Sequence, residues 1–298
     1  MTQTEKQKMM LTAPVEGLIC RMAVPTIISM LITALYNMAD TYFVGKLGSN
    51  AATGAVGVAL PLMAIIQATG FFFGHGSGNS ISRHLGAGDV EDAETLAVCG
   101  FAGAIGAGLI ICVLGQLFLE PLSLLLGSTA TILPYAKEYM RYILFAAPYM
   151  TAALVLNNQL RLQGNANFAM IGITSGAVLN VALDPLFIFT FDMGVAGAAA
   201  ATALSQLVSF VILLWALKRA GCVPLRFRYV RCMPSVMGQI FGGGLPSLVR
   251  QGLGSLSVMM LNRAAGPYGD AAIAAMSIVG RICQFAGSAV IGFGQGFQ

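Results

Sequence analysis

The stretch GAVLNVALDPLFIF (Gly176–Phe189) sets an asparagine, an aspartate and a proline inside an otherwise apolar run. Asn180 and Asp184 stand four residues apart, so on a helix they share one face. A charged carboxylate near mid-bilayer costs about 2.5–3.5 kcal/mol on insertion scales, which is why such residues face the bundle interior and carry a function. Pro185 has no N–H and crowds the preceding turn, so the carbonyl of Val181 loses its helical donor and a kink is expected there, as at Pro25. A carboxylate, an amide and a freed carbonyl are hard oxygen ligands suited to a sodium ion, and the carboxylate is equally able to hold a proton.

The rest of the chain is as oily as this segment. Of its 298 residues 57% are hydrophobic and 9% charged, and mean hydropathy is +0.79, where a soluble chain carries about 25% charged residues. Charge-poor runs recur at about the 20-residue length that a membrane-spanning helix needs. Cutting at charged or Pro/Gly-rich breaks predicts eight spans, near 24–45, 54–82, 96–119, 134–160, 168–191, 194–217, 237–263 and 271–298. The fold class is therefore all-α: a polytopic transmembrane helical bundle in a lipid bilayer. Short breaks between spans imply that sequence neighbours pack antiparallel.

Residues 1–23 have scattered charges and no compact apolar core before a cleavage site, so they read as a retained arm and not as a signal peptide. With that arm inside, ten basic residues fall on inner segments and four on outer ones, which predicts a cytoplasmic N-terminus and makes 218–236 a basic cytoplasmic linker. A net charge of +4 is too small to suggest nucleic acid. The six cysteines form no C-x-x-C pair and behave as small apolar residues, so no structural metal site is expected.

Three G-x-x-x-G pairs, Gly70/Gly74, Gly172/Gly176 and Gly238/Gly242, predict close helix approach. A shift of 221 residues lays Val24-Pro25 on Leu245-Pro246, Gly45 on Gly266, Gly48 on Gly269, Ala51 on Ala272 and Val58 on Val279. A one-residue gap then brings Phe73-Gly-His-Gly76 onto Phe293-Gly-Gln-Gly296. Residues 24–217 thus read as a six-helix lobe and 237–298 as the first two helices of a repeated second lobe. Internal repeats with a site between them are a transporter plan. Because the last helix has no polar cap, the chain is expected to be truncated after the eighth helix.

Asp40 is the second intramembrane acid, with Tyr36 and Asn37 on its helix face. Thr202, Gln206 and the run Asn157-Asn-Gln159 add polar groups of the kind that bind ions or bond neighbouring helices. His75 and Ser77 raise serine hydrolysis, but no G-x-S-x-G elbow accompanies them. A cation channel would need repeated acidic rings, which are absent. A membrane enzyme is the remaining reading of another class, and the expectation is that the chain is no enzyme.

Val24-Pro25, Tyr36-Asn-Met-Ala-Asp-Thr-Tyr-Phe-Val-Gly45, Leu47-Gly48, Arg161-Leu-Gln-Gly-Asn165, Leu179-Asn-Val-Ala-Leu-Asp-Pro185 and Gly194-Val-Ala-Gly-Ala-Ala200 together resemble the multidrug and toxic compound extrusion (MATE) family. The resemblance implies two six-helix lobes facing across a cleft that opens alternately to either side. It implies an antiporter that exports organic, often cationic, drugs or toxins from a bacterial cell inner (plasma) membrane. It assigns the cation site to Asp40, Asn180, Asp184 and Thr202, with Tyr36, Asn37, Asn157 and Gln206 near the cation or in the cleft. Sodium or a proton is the coupling ion, no bound cofactor is implied, and a monomer is expected. Another branch uses an acid in the seventh helix, but Leu245–Arg263 holds none. The alternative is a lipid-linked glycan flippase of the related superfamily, for which Arg250 and Arg281 would serve an anionic substrate.

Overall fold

The computed structural model describes residues 15–297, and these form nine α-helices with no strand among them. They are α1 (Val15–Gly45), α2 (Asn50–Ala87), α3 (Val90–Leu117), the short α4 (Leu119–Leu125), α5 (Leu133–Leu162), α6 (Ala166–Pro185), α7 (Gly194–Arg219), α8 (Met233–Ala265) and α9 (Asp270–Phe297). The eight long helices follow the order of the eight expected spans. Residues 15–23, expected in the arm, already belong to α1; the remainder of the arm, residues 1–14, lies outside the described residues. Seven of the long helices are apolar and long enough to cross a membrane. The exception is α8, which carries Gln239, Arg250, Gln251 and Arg263 along its 33 residues.

Local signals set the helix ends. Ser49 caps α2 by accepting from the Ala52 N–H at 3.3 Å. Gly88 ends the same helix at φ 88°, a left-handed cap that points its N–H back at the carbonyls of His84 and Leu85. Pro185 ends α6 and a π-helical turn, Leu186–Thr190, follows it directly. The π turn is the local form taken by the kink expected at that proline. Residues 218–236 are anchored to α3: Arg226 pairs with Glu94 at 3.3 Å, and Tyr229 Oη donates to Glu91 at 3.4 Å.

The bundle centre is α2 and α5, whose Ile66, Ile81, Tyr139, Ile143, Leu144 and Leu156 are fully enclosed. On α3, Leu109, Ile110, Val113 and Leu117 lie exposed along a face suited to lipid. Packing by sequence neighbours fails at the first pair: α1 and α2, joined by residues 46–49, barely touch. Instead α1 lies along α9 and α6, while α2 lies along α8 and α5. Helices α8 and α9, expected to open a second lobe, scarcely touch each other and are each held by earlier helices. A short loop restrains only helix ends; what decides the pairing is where small residues let backbones meet. A Cβ on Gly292 of α9 would stand 2.6 Å from Ile27 Cα of α1, and one on Gly243 of α8 3.1 Å from Gly76 Cα of α2.

The G-x-x-x-G pairs divide on the same test. Gly70 and Gly74 of α2 receive Leu154 and Asn158 of α5, each within 2.7 Å of an added Cβ. Gly176 of α6 meets Ser209 and the Ser205 carbonyl of α7, and the Gly172 carbonyl accepts from Ser209 Oγ at 2.9 Å. Gly238 and Gly242 have nothing within 4 Å of an added Cβ. Their spacing therefore marks no helix contact among the described residues.

Candidate cation site

The buried residues of α6 are Ala166, Ala169, Gly172, Gly176, Ala177, Asn180 and Asp184. Their three- and four-residue spacing makes one stripe, small at its start and polar at its end. The small part seats α6 against α7, which places Asn180 and Asp184, both with no exposed surface, at the helix interface. Asn180 Nδ2 donates to Asp184 Oδ1 at 3.3 Å and to Thr202 Oγ1 of α7 at 3.2 Å.

From the other side comes α1. Asp40, Asn37 and Tyr36 are 3%, 3% and 7% exposed. Tyr36 Oη accepts from Gln206 Nε2 of α7 at 3.4 Å, which ties α1 to the helix that carries Thr202. Asp40 lies near enough for its charge to act on Asp184, so the two acids expected from sequence fall in one region of the bundle. Pro25 lies inside α1, and Ser29, Thr33, Asn37 and Thr41 each bond back to the carbonyl four residues before. Side-chain donors that share helical carbonyls in this way loosen and bend a helix.

Two further residues complete the site. Tyr139 of α5, fully enclosed, stands beside Asp40 without reaching hydrogen-bond geometry. Arg281 of α9 is 4% exposed; its Nη1 donates to Asn37 Oδ1 at 2.9 Å, and its charge acts on Asp40. No ion pair within 4.0 Å joins that guanidinium to an acid among the described residues. Tyr139 carries no sequence signal that separates it from a packing residue. Arg281 does: it is a lone charge inside an apolar helix, and the rule applied to Asp40 and Asp184 applies to it too.

Asp40 Oδ1, Asn180 Oδ1 and Asp184 Oδ2 are buried acceptors without a hydrogen-bond partner. Tyr139 Oη, Arg281 Nε and Arg281 Nη2 are likewise without partners. Buried polar atoms are nearly always paired, so this cluster has donor and acceptor capacity to offer a further group. The acceptors are two carboxylates and an amide, with the Thr202 hydroxyl adjoining, a hard-oxygen set suited to an alkali cation. Two carboxylates and one guanidinium sum to a single negative formal charge, which one monovalent cation or one proton would neutralise.

Asn157 is placed elsewhere: its Nδ2 donates to the Ala169 carbonyl at 3.0 Å and fastens α5 to α6. Gln206 and Tyr36 line a cavity of about 260 Å³ beneath the acids. Met30, Met63, Phe71 and Met150 supply its apolar wall, and Gln67, Arg250, Gln251, Gln284 and Gln295 its polar groups, with no carboxylate among the lining residues. The Tyr36–Gln206 hydrogen bond is the shared wall between acids and cavity.

The MatE family pattern matches residues 25–186. The "Multidrug export protein MepA" of Staphylococcus saprophyticus is 30% identical over 92% of this chain and 61% of its own length. Among the solved structures this chain resembles are an outward-facing and an inward-facing conformation, each of a multidrug resistance MATE family transporter of the MOP superfamily. The outward-facing structure superposes with a TM-score of 0.86 at 30% identity, over 97% of this chain and 64% of that one. The inward-facing structure superposes at 0.81 and 31% identity, over 91% and 63%. The chain spans 61–63% of the length of the curated relatives it matches.

Proposed function

The chain belongs to the MatE family, and from that premise we propose that it works as a secondary active multidrug exporter, exchanging sodium or protons for organic, often cationic, compounds. The observation that carries this is the set of three partnerless buried oxygens, on Asp40, Asn180 and Asp184, gathered beside a cavity from two helices far apart in sequence. The cation or proton is held by these residues and Thr202, and the drug by the methionine- and aromatic-lined cavity. Flexible thioethers and ring faces accept varied apolar and cationic shapes. The two compete through the Tyr36–Gln206 wall, since both touch α1.

Neutralising the site removes the pull between Arg281 and Asp40 that helps hold α9 against α1. The looseness of α1 then lets it move between straight and bent forms, and the lobes, 24–217 and 237–298, rock to expose the cavity on alternate sides. A 100 mV potential contributes about 2.3 kcal/mol per charge moved inward. In this reading the N-terminus is cytoplasmic, the protein is a monomer in a bacterial plasma membrane, and the linker at 218–236 faces the cytoplasm. Arg161, counted among the basic residues of that side, is 2% exposed and belongs to the interior.

Efflux of a fluorescent organic cation by the full protein tests the proposal: Asp40→Asn and Asp184→Asn should each abolish ion-dependent efflux, and undiminished transport sinks it. A second reading, a flippase for lipid-linked glycans, draws on Arg250 in a cavity without carboxylates. A glycan-export defect with normal drug resistance on gene deletion would favour it.

A further inference from the structure

At the end of the bundle away from the paired acids, α8 and α9 grip the first six helices a second time, through a buried basic network. Arg161 of α5, His75 of α2, Gln295 of α9 and Ser247 of α8 are 2%, 2%, 6% and 8% exposed. Arg161 Nη1 donates to Gln295 Oε1; Nη2 donates to Asn158 Oδ1 at 2.7 Å and faces His75 Nε2 at 3.3 Å. Because Nε2 faces a permanent cation it is the accepting nitrogen, so the proton of His75 is assigned to Nδ1, which donates to Ser247 Oγ at 2.7 Å. One guanidinium thus binds α5 and α2 on one side to α9, and through His75 to α8, on the other.

The internal repeat explains why they meet. The shift that lays Phe73-Gly-His-Gly76 on Phe293-Gly-Gln-Gly296 makes His75 and Gln295 equivalent positions in the two copies. Equivalent residues of repeated halves come together only where the halves face each other, and there both meet Arg161. Glycines bring the backbones into contact around it: Gly76 on Ile240, Gly292 on Ile27, and Gly296 on Ala23. Gln295 also lines the cavity, so the network floors the space that the acids adjoin. Arg161 Nε has no partner, so the closed arrangement leaves one donor unsatisfied and solvation of the guanidinium favours release.

We propose that Arg161, His75, Ser247 and Gln295 form a latch that holds the cavity shut at this end and must part for it to open there. The latch rests on the two-lobe exporter reading, but its test reads lobe separation alone; normal efflux by Asp40→Asn would overturn the cation site and leave the latch result standing. Spin labels are placed on exposed Asn167 of α6 and Ser235 of α8, with the native cysteines replaced, and their distance distribution is measured by pulsed electron resonance in lipid nanodiscs. Gln295→Ala and Ser247→Ala should shift the population to longer distances. Gln295→Glu, which gives Arg161 a carboxylate partner, should narrow it at the short distance. Gln295→Ala removes the acceptor of Arg161 and Gln295→Glu keeps it and charges it, so opposite shifts cannot come from a shared folding defect. Distances unchanged in Gln295→Ala, or a lengthening in Gln295→Glu, would overturn the latch.

Discussion

Replacing Arg281 by glutamine removes the one positive charge of the acid site and takes its formal charge from one negative to two. Its guanidinium bonds Asn37, and Asn37 sits three residues from Asp40 on the same helix face. Residues so spaced have Cβ atoms about 5–6 Å apart, and a separation of roughly 6 Å is taken for the two charges. At an effective dielectric of about 20 that separation is worth about 2.8 kcal/mol, or about a 100-fold change in affinity for a monovalent cation. The assay is the thermal midpoint of purified protein against sodium at fixed pH, with choline holding ionic strength constant, since a ligand that binds only the folded state raises the midpoint by mass action. Arg281→Gln should reach half-saturation at far lower sodium than the parent. Adding Asp40→Asn restores a single negative charge and should return half-saturation toward the parental value. Equal or weaker sodium binding in Arg281→Gln would refute the idea that this guanidinium opposes the cation.

Other substitutions separate packing from binding. Loss of ion-dependent efflux in Asp40→Asn and Asp184→Asn is expected to be near complete, read as retained fluorescent cation in loaded cells. Gly176→Ala forces a Cβ to 2.8 Å from Ser209 Cβ and should destabilise by about 1–3 kcal/mol, seen as a lower melting midpoint. Gly242→Ala, with nothing within 4 Å, should instead stabilise by about 0.5–1 kcal/mol; matching behaviour of the two variants would contradict the packing described. Asn157→Ala loses the bond to the Ala169 carbonyl and should cost about 0.6 kcal/mol, at most about 1.7, with sodium half-saturation unmoved. A large change in that half-saturation would return Asn157 to the cation site.

How much was legible in the chain follows from the reach of each interaction. The eight long helices could be read because hydropathy and turn residues act over one span, and α8 is less apolar than the rest through the polar residues within its own length. Asn180 with Asp184 could be read because four residues on a helix fix a shared face. Their meeting with Asp40 was suggested by likeness of pattern, since no local rule links α1 to α6. The expectation that neighbours pack in order failed at α1 and α2 because connection length says nothing about which faces fit.

Sequence by itself determined the membrane setting, the order of helices and the two intramembrane acids, all of which rest on composition and on spacing within a turn or a span. Only the tertiary structure decided that Arg281 answers Asn37 from 244 residues away, that Asn157 fastens helices, and that Gln295 and His75 share Arg161 across 134 and 86 residues. The physical reason is that a buried guanidinium takes whatever acceptors helix packing brings to it. That packing is set by small-residue contacts between distant segments, which no periodicity along the chain records.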